Sequence, residues 1–433
     1  MTSLFLAAAA THPAPHVWMV APFVLLLLCI ASGPLAFPHW WERNYPKVAV
    51  GLGAISAGYY LFYLKAPGPL IHVAEEYVSF IALIGSLFVV AGGIHIRVKG
   101  QATPAFNCLF LLIGAVISNV IGTTGASMLL IRPWIRMNRV RITAFHIVFF
   151  IFIVSNVGGC LTPIGDPPLF LGFLRGVPFW WVLQNCWEAW LVGVLGLIGI
   201  FYVLDVRNQR REPVELREEA GHEEWRFDGL HNLGFIALVL VGVFLPLGWR
   251  EATMIVAALG SWFTTRAAIH KANHFDWHPI KEVAWLFIGI FATMVPALET
   301  LTVNARTLGL HSEMQFYWGT GLLSGILDNA PTYLAFLATA FGLFGLSLDD
   351  PAHMQQFIAE HDYMLIAISI GAVFFGAMTY IGNGPNFMVK SISQQAGVKT
   401  PSFIGYVTKF SIPFLIPFFF IIGILFFSRW RVF

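Results

Sequence analysis

Read for apolar and polar positions, the chain alternates long apolar runs with short polar interruptions. Crossing a bilayer takes about 20 apolar residues as a helix. Runs of that kind predict helices at 17–36, 47–64 and 77–96. The next apolar piece, 104–131, is interrupted at its centre by Ser-Asn-Val-Ile-Gly-Thr-Thr-Gly (118–125). Its 28 residues are too few for two crossings, so they predict a re-entrant hairpin with a polar tip. A helix from 142 then runs into a Gly/Pro-rich break, and 187–204 predicts the next span.

The second half follows the same plan. Helices are predicted at 230–248, 252–268 and 283–302, and a second hairpin at 315–345 with its tip at 327–332. A helix from 363 leads into another break, and 403–427 predicts the last span. The fold class expected is an all-α polytopic membrane protein of two inverted repeats, each with a re-entrant hairpin and a broken helix. The first repeat covers 1–204, with hairpin 104–131 and broken helix 142–174. The second covers 230–433, with hairpin 315–345 and broken helix 363–395. Residues 205–229 form the charged loop between them.

The breaks themselves match. Leu161–Phe170 reads LTPIGDPPLF and Met378–Phe387 reads MTYIGNGPNF. An offset of 217 residues aligns Thr162 with Thr379, Gly165 with Gly382, Pro168 with Pro385, and Asp166 with Asn383. No helix continues through Pro-Ile-Gly-Asp-Pro-Pro. In lipid, freed backbone survives only inside protein or along a cavity. Paired breaks of this kind point to a transporter's binding site.

Composition fits. The 433 residues are 57% hydrophobic and 11% charged, against roughly 25% charged in a soluble domain. A net charge of +2 gives no reason to expect nucleic acid as a partner. The lipid bilayer and a small inorganic cation or anion are the expected partners. Cys29, Cys108, Cys160 and Cys186 have no metal-ligand spacing and read as small buried hydrophobes. No Lys or Arg precedes the first apolar run, so a cleaved signal peptide is not expected.

Charge also sets an expected orientation. The first hairpin is flanked by Arg97 and Lys99, then by Arg132, Arg136, Arg139 and Arg141. The second is followed by Asp349, Asp350, Glu360 and Asp362. The first therefore enters from the cytoplasm and the second from outside, with the 205–229 loop cytoplasmic. The localisation expected is a bacterial inner membrane.

Asp166 and Asp328 are the acids placed deepest. A carboxylate at the bilayer centre costs at least ~2.5 kcal/mol, so such residues usually serve function and face a cavity. An acid there can take a proton or a cation, which is the core of exchange; Asp328 is expected to be the main carrier and Asp166 its partner across the pseudo-symmetry axis. The bland reading of Asp166 is a cap on the half-helix after Pro167 and Pro168. Ser118, Asn119, Thr123 and Thr124 bring neutral oxygens at one tip, with Thr162 and Gly165 at its break. Asn329, Thr332, Thr379, Gly382, Asn383 and Asn386 do so for the other pair. Hard cations such as sodium take oxygen ligands of this kind. Alternatively, these side chains only satisfy the hairpin turns. The tips align Asn119 with Asn329 and Ser118 with Asp328. Glu188, Glu299 and His146 are lesser candidates; a carbonyl-bonded histidine is the plainer reading of His146.

Gly158-Gly159-Cys160-Leu161-Thr162-Pro163-Ile164-Gly165-Asp166-Pro167-Pro168 resembles the GG-x-x-T-x-IGDPP signature of the ion-transporter superfamily. That group holds citrate transporter-like carriers, arsenite permeases and D-type sodium:proton antiporters. Asp328-Asn329-Ala330-Pro331 resembles the second-hairpin motif of the antiporter and arsenite branches. The resemblance covers roughly residues 45–427. It implies a scaffold domain, a moving transport domain and a homodimer. The dicarboxylate branch has Ser-Asn-Thr at both tips, whereas this chain has Ser118-Asn119-Val120 and Asp328-Asn329-Ala330. That departure favours a cation antiporter, read as sodium:proton exchange, over a dicarboxylate carrier. Sodium and protons would then be cargo, and no cofactor is expected. The alternative reading is a sodium-coupled organic-anion (citrate or dicarboxylate) symporter or an arsenite-type oxyanion permease. An intramembrane aspartyl protease is the rival from another class; it needs a carboxylate pair sharing a proton, and its Gly-x-Gly-Asp signature is absent because Pro163 stands before Ile164. No nucleotide-binding motif is present, and no enzymatic activity is expected.

Overall fold

A computed structural model describes residues 13–97, 103–210 and 226–428. The fold is all-α and polytopic. Among the described residues, seven helical segments are long and apolar enough to cross a membrane. One of them, Pro104–Met137, folds back on itself, as shown below.

The chain opens with α1 (Ala21–Ala36), α2 (Pro38–Gly58) and α3 (Gly68–Gly92). After the charged loop come α8 (Asn232–Val243), α9 (Trp249–Thr264), the short α10 (Ala267–Ala272) and α11 (His278–Asn304). These pack largely among themselves, α2 against α11 and α3 against α9. Small residues set the α2/α11 crossing: a Cβ on Gly289 would sit 2.5 Å from the Ala49 carbonyl oxygen. Close backbone approach of this kind drives association where lipid leaves little hydrophobic gain.

The remaining elements hold the interruptions. Helix α4 (Pro104–Met137) turns at Gly122, whose φ of 75° and ψ of 156° suit glycine and few other residues. Its two legs are antiparallel. Phe110 stacks on Trp134 with centroids 5.6 Å apart, and Asn107 Nδ2 donates to Asn138 Oδ1 at 2.8 Å. Then follow α5 (Ala144–Ile153), α6 (Pro167–Leu174) and α7 (Trp181–Gln209). In the second half, α12 (Glu313–Ile326) and α13 (Asn329–Leu343) form the other hairpin. After them come α14 (Pro351–Phe375), α15 (Gly384–Gln395), α16 (Phe403–Tyr406) and α17 (Ile416–Phe427).

Several boundaries differ from expectation, each for a local reason. Helix α2 starts at Pro38, not 47, because proline suits a first helical turn and the Trp-rich start carries the helix beyond its apolar stretch. Helix α14 starts at Pro351, capped by Asp350, whose Oδ1 accepts from Ala352 N at 2.9 Å. It kinks at His361 (φ −140°), so the helix expected from 363 is the part beyond the kink. Helix α8 ends at Val243 rather than 248, ahead of Pro246 and Gly248. An unexpected two-stranded ribbon pairs β1 (His95–Arg97) with β2 (Arg226–Asp228), His95 opposite Asp228. Most of the charged loop lies outside the described residues.

Two buried ion clusters tie elements together. At the base of the first hairpin, Asp205 on α7 pairs with Arg141, accepts from Asn107 Nδ2 at 2.7 Å and meets His146 Nε2 at 3.1 Å. His146 is thus held by a carboxylate and by Thr143, not by a carbonyl. Elsewhere, Arg175 at the end of α6 reaches Glu76 on α3 at 2.6 Å and also pairs with Asp349.

Removing one partner of a buried pair strands the other. Asp205→Asn should therefore lower stability by about 3–5 kcal/mol. The check is urea or thermal unfolding in detergent micelles, with Asp228→Asn on the ribbon as an exposed-pair control near zero.

Candidate functional site

The first break is a backbone problem solved by the first hairpin. After α5 the chain makes one 3₁₀ turn (Val157–Gly159) and stays non-helical to Pro167. Its freed groups find partners on the tip. Asn119 Nδ2 donates to Gly158 O at 2.7 Å, and Asn119 Oδ1 accepts from Leu161 N at 2.8 Å. Thr162 Oγ1 donates to Asn119 O at 2.6 Å, and Thr123 N to Gly165 O at 2.8 Å. Ser118 Oγ bonds Val154 O at 2.8 Å. These groups that leave the helix are answered within protein, as an apolar surround demands.

The second break is built similarly. Helix α14 passes through a 3₁₀ turn (Gly376–Met378) before α15. Thr379 Oγ1 accepts from Ile381 N and Gly382 N, both at 3.1 Å. Asn386 Nδ2 bridges Gly376 O and Thr379 O at 2.8 Å each. Ser324 Oγ bonds Ala372 O at 2.6 Å, the counterpart of the Ser118 contact.

All four elements meet at Asp166, which is 1% exposed. Its Oδ1 accepts from Thr123 Oγ1 at 2.7 Å and from Asn383 Nδ2 at 2.8 Å. Its Oδ2 accepts from Asn329 Nδ2 at 2.5 Å. One carboxylate therefore joins the tips of both hairpins and both breaks. No Lys, Arg or His among the described residues pairs with it. Asn329 Oδ1 is buried beside it without a hydrogen-bond partner. A cavity of ≈ 20 Å³ adjoins, lined by Leu83, Leu87, Thr123, Thr124, Gly165 and Asp166 among others. That is about the space of one water molecule.

Two expectations change here. Asp166 stands at the N-cap position of α6 but its side chain makes no cap bond; the carboxylate turns to the hairpin tips instead. Asp328 is the acid that caps, its Oδ1 accepting from Ala330 N at 3.0 Å, with Thr332 Oγ1 on its carbonyl at 2.8 Å. The tip alignment also shifts. Hydrogen bonds pair Ser118 with Ser324 and Thr123 with Asn329, because each tip is registered on its apex rather than on its Asn. Asn329 accordingly donates to the first break, not the second. Asn156 was not anticipated. Its Nδ2 donates to Asn386 Oδ1 at 2.7 Å, and its Oδ1 lies 3.3 Å from Asn383 Nδ2. Its signal in the sequence is a lone amide at the end of an apolar helix, just before Gly158-Gly159. His146, Glu188 and Glu299 make no bond to Asp166.

Broken helices meeting at a buried polar junction inside an apolar bundle are the arrangement of a membrane transporter. The chain belongs to the family described as "Putative citrate transport", whose model matches residues 12–427. It is also similar to curated bacterial proteins. An uncharacterized transporter of Mycobacterium tuberculosis is 23% identical over 321 residues, 69% of this chain and 72% of that protein. A 46 kDa membrane protein of Mycobacterium leprae is 23% identical over 325 residues, 69% of this chain and 72% of that one. An uncharacterized transporter of Synechocystis is 23% identical over 278 residues, 58% of this chain and 61% of that one.

Gly165 is the tightest point of the junction. A Cβ there would clash with the Gly159 carbonyl oxygen and come within 3.1 Å of Asn119 Oδ1. Gly165→Ala should cost about 1–3 kcal/mol through overpacking. Gly384→Ala, where an added Cβ meets nothing within 4 Å, should leave the unfolding midpoint unchanged in the same detergent assay.

Proposed function

We propose that the protein is a secondary active transporter that exchanges sodium for protons by alternating access. The observation that carries this reading is the buried Asp166 carboxylate, held by three neutral donors and, among the described residues, by no cation. A charge so placed is costly until a positive charge joins it. A proton or a small cation satisfies it equally, and they exclude one another. Asn329 Oδ1 supplies a free oxygen ligand at the same place, which suits a hard cation. The adjoining cavity accommodates an ion or a water, and a tricarboxylate is far larger.

In this reading Asp166 is the principal carrier and Asp328 its neighbour at the tip of the second hairpin. Thr123, Asn329 and Asn383 orient Asp166. Ser118, Asn119, Thr162 and Gly165 hold the first tip against its break, Thr379, Gly382 and Asn386 shape the second break, Thr124 lines the adjoining cavity and Thr332 secures the Asp328 turn. Residues 1–204 and 230–433 act as inverted repeats around the charged cytoplasmic loop. Helices α1–α3, α8, α9 and α11 serve as scaffold; the hairpins and broken helices move. A homodimer in a bacterial inner membrane is the proposed assembly.

The family description favours a second reading, a sodium-coupled carrier of citrate or a related anion. Asp166 would then hold the coupling sodium while the anion joins it in a more open state. An arsenite-type permease is a variant of the same idea.

Proteoliposomes separate these readings. The exchange reading expects a sodium gradient to move protons, with apparent sodium affinity weakening as pH falls from 9 to 6 because protons compete. Asp166→Asn should bring exchange to background in folded protein. Asp328→Asn keeps a capping side chain and should slow exchange and flatten its pH profile. Sodium-dependent uptake of labelled citrate without proton movement would instead establish the anion carrier. An Asp166→Asn protein with wild-type exchange and pH profile overturns the assignment.

A further inference from the structure

Beyond the Asp166 junction, a larger cavity of ≈ 400 Å³ opens at the base of the first hairpin. Arg132, Arg136 and Arg139 line one side, on and just after the end of α4. His95 of β1, His274 after α10 and Gln395 at the end of α15 line the others. Among the described residues, no Asp or Glu lines it.

Arginines are common where a helix leaves the membrane, and they also suit a helix C-terminus. Three observations go further. First, none of the three pairs with a carboxylate among the described residues. Arg141, two positions beyond Arg139, is by contrast paired with the buried Asp205. Second, Arg132 and Arg136 stand at i and i+4 on one helix face, where like charges repel. Third, the cavity has the size of a small-ligand pocket, roughly 300–1,000 Å³, and its walls come from elements far apart in sequence.

We propose that this cavity is an anion site for a multivalent oxyanion, a phosphate group or a polycarboxylate. Guanidinium forks bind such oxygens in pairs. Gln395 offers an amide donor and His274 a ring N–H, while the Nδ1–H of His95 is taken by Asn273 Oδ1 at 2.7 Å. The ligand would bridge the hairpin base, the end of α15 and the β1/α10 side, so it would also hold those elements together. The site is independent of Asp166 and of which ion is transported.

The test uses the full-length protein, delipidated in an uncharged detergent. Phosphate, citrate and chloride are titrated at equal ionic strength while the unfolding midpoint is followed. Parallel samples in nanodiscs of phosphatidylcholine, with and without phosphatidylglycerol, probe a lipid headgroup as the source. Phosphate or citrate, or the anionic lipid, should raise the midpoint beyond chloride or neutral lipid. The first outcome assigns a soluble ligand and the second a headgroup; both support the site. Arg132→Gln/Arg136→Gln should weaken the apparent affinity at least about tenfold, given the strength of charged hydrogen bonds. Should that variant not fold, Arg132→Lys/Arg136→Lys keeps the charge, loses the forks and should still weaken binding severalfold. The proposal is overturned if no anion or lipid outperforms its control. It is equally overturned if the arginine variants respond like wild type, or if Asp166→Asn alone abolishes the effect, which would put the anion at the junction.

Discussion

One buried carboxylate, with no counter-cation among the described residues, organises this molecule. Asp166 is almost fully enclosed, and its oxygens accept from Thr123, Asn329 and Asn383. Each donor belongs to a different interrupted element. Neutral donors disperse an anionic charge, but they do not neutralise it. The junction is therefore both a structural knot and an electrostatic demand. Loss of any donor would loosen an element as well as unsettle the charge.

The rest of the broken backbone is arranged so that this demand is the main one left open. Asn119, Thr162 and the Gly165 carbonyl close the first break, and Asn386 and Thr379 close the second. Asn156 joins the two, bonding Asn386 while lying close to Asn383. Amides are apt for this because each carries both donors and acceptors. Among the candidate residues at the junction, the unanswered acceptor is Asn329 Oδ1, beside the carboxylate. At the junction the unanswered acceptor and the uncompensated carboxylate thus coincide in space, which is why the site reads as a place for a positive charge.

Much of this was legible in the residue pattern. Apolar runs interrupted by Gly, Pro and polar residues marked both hairpins and both breaks, because only a few residue types can leave a helix in lipid. Gly122 and Asp166 could be found that way. The roles of Asp166 and Asp328 could not. Both stand at the N-cap position of a helix, and local pattern makes each an equally good cap. Only tertiary packing decides that Asp328 caps while Asp166 turns away. The tip register was hidden for a similar reason: sequence matching aligned Asn119 with Asn329, whereas folding registers the turns themselves. Pairings such as Arg175 with Glu76, or β1 with β2, join residues far apart in the chain and leave no periodic trace.

The surroundings of the junction bear on whether it can move. Its cavity is closed on one side by Leu83, Ile84, Leu87 and Phe88 of α3. No hydrogen bond joins that wall to Asp166, so every polar contact of the carboxylate lies within the hairpins and breaks. An apolar wall can be slid past without breaking directional bonds, whereas the polar knot keeps its partners if it travels as one unit. The α3 contact that resists sliding is the Arg175–Glu76 pair at the end of α6. On the proposed transport reading, movement is opposed first by direct contacts, that pair and the Thr302 Oγ1–Ala338 O bond between α11 and α13, and second by the uncompensated charge. A cation or proton on Asp166 removes the second, since a neutralised site can pass an apolar wall that a bare carboxylate cannot. Coupling would then follow from electrostatics alone: the loaded junction moves, and the empty, charged one stays.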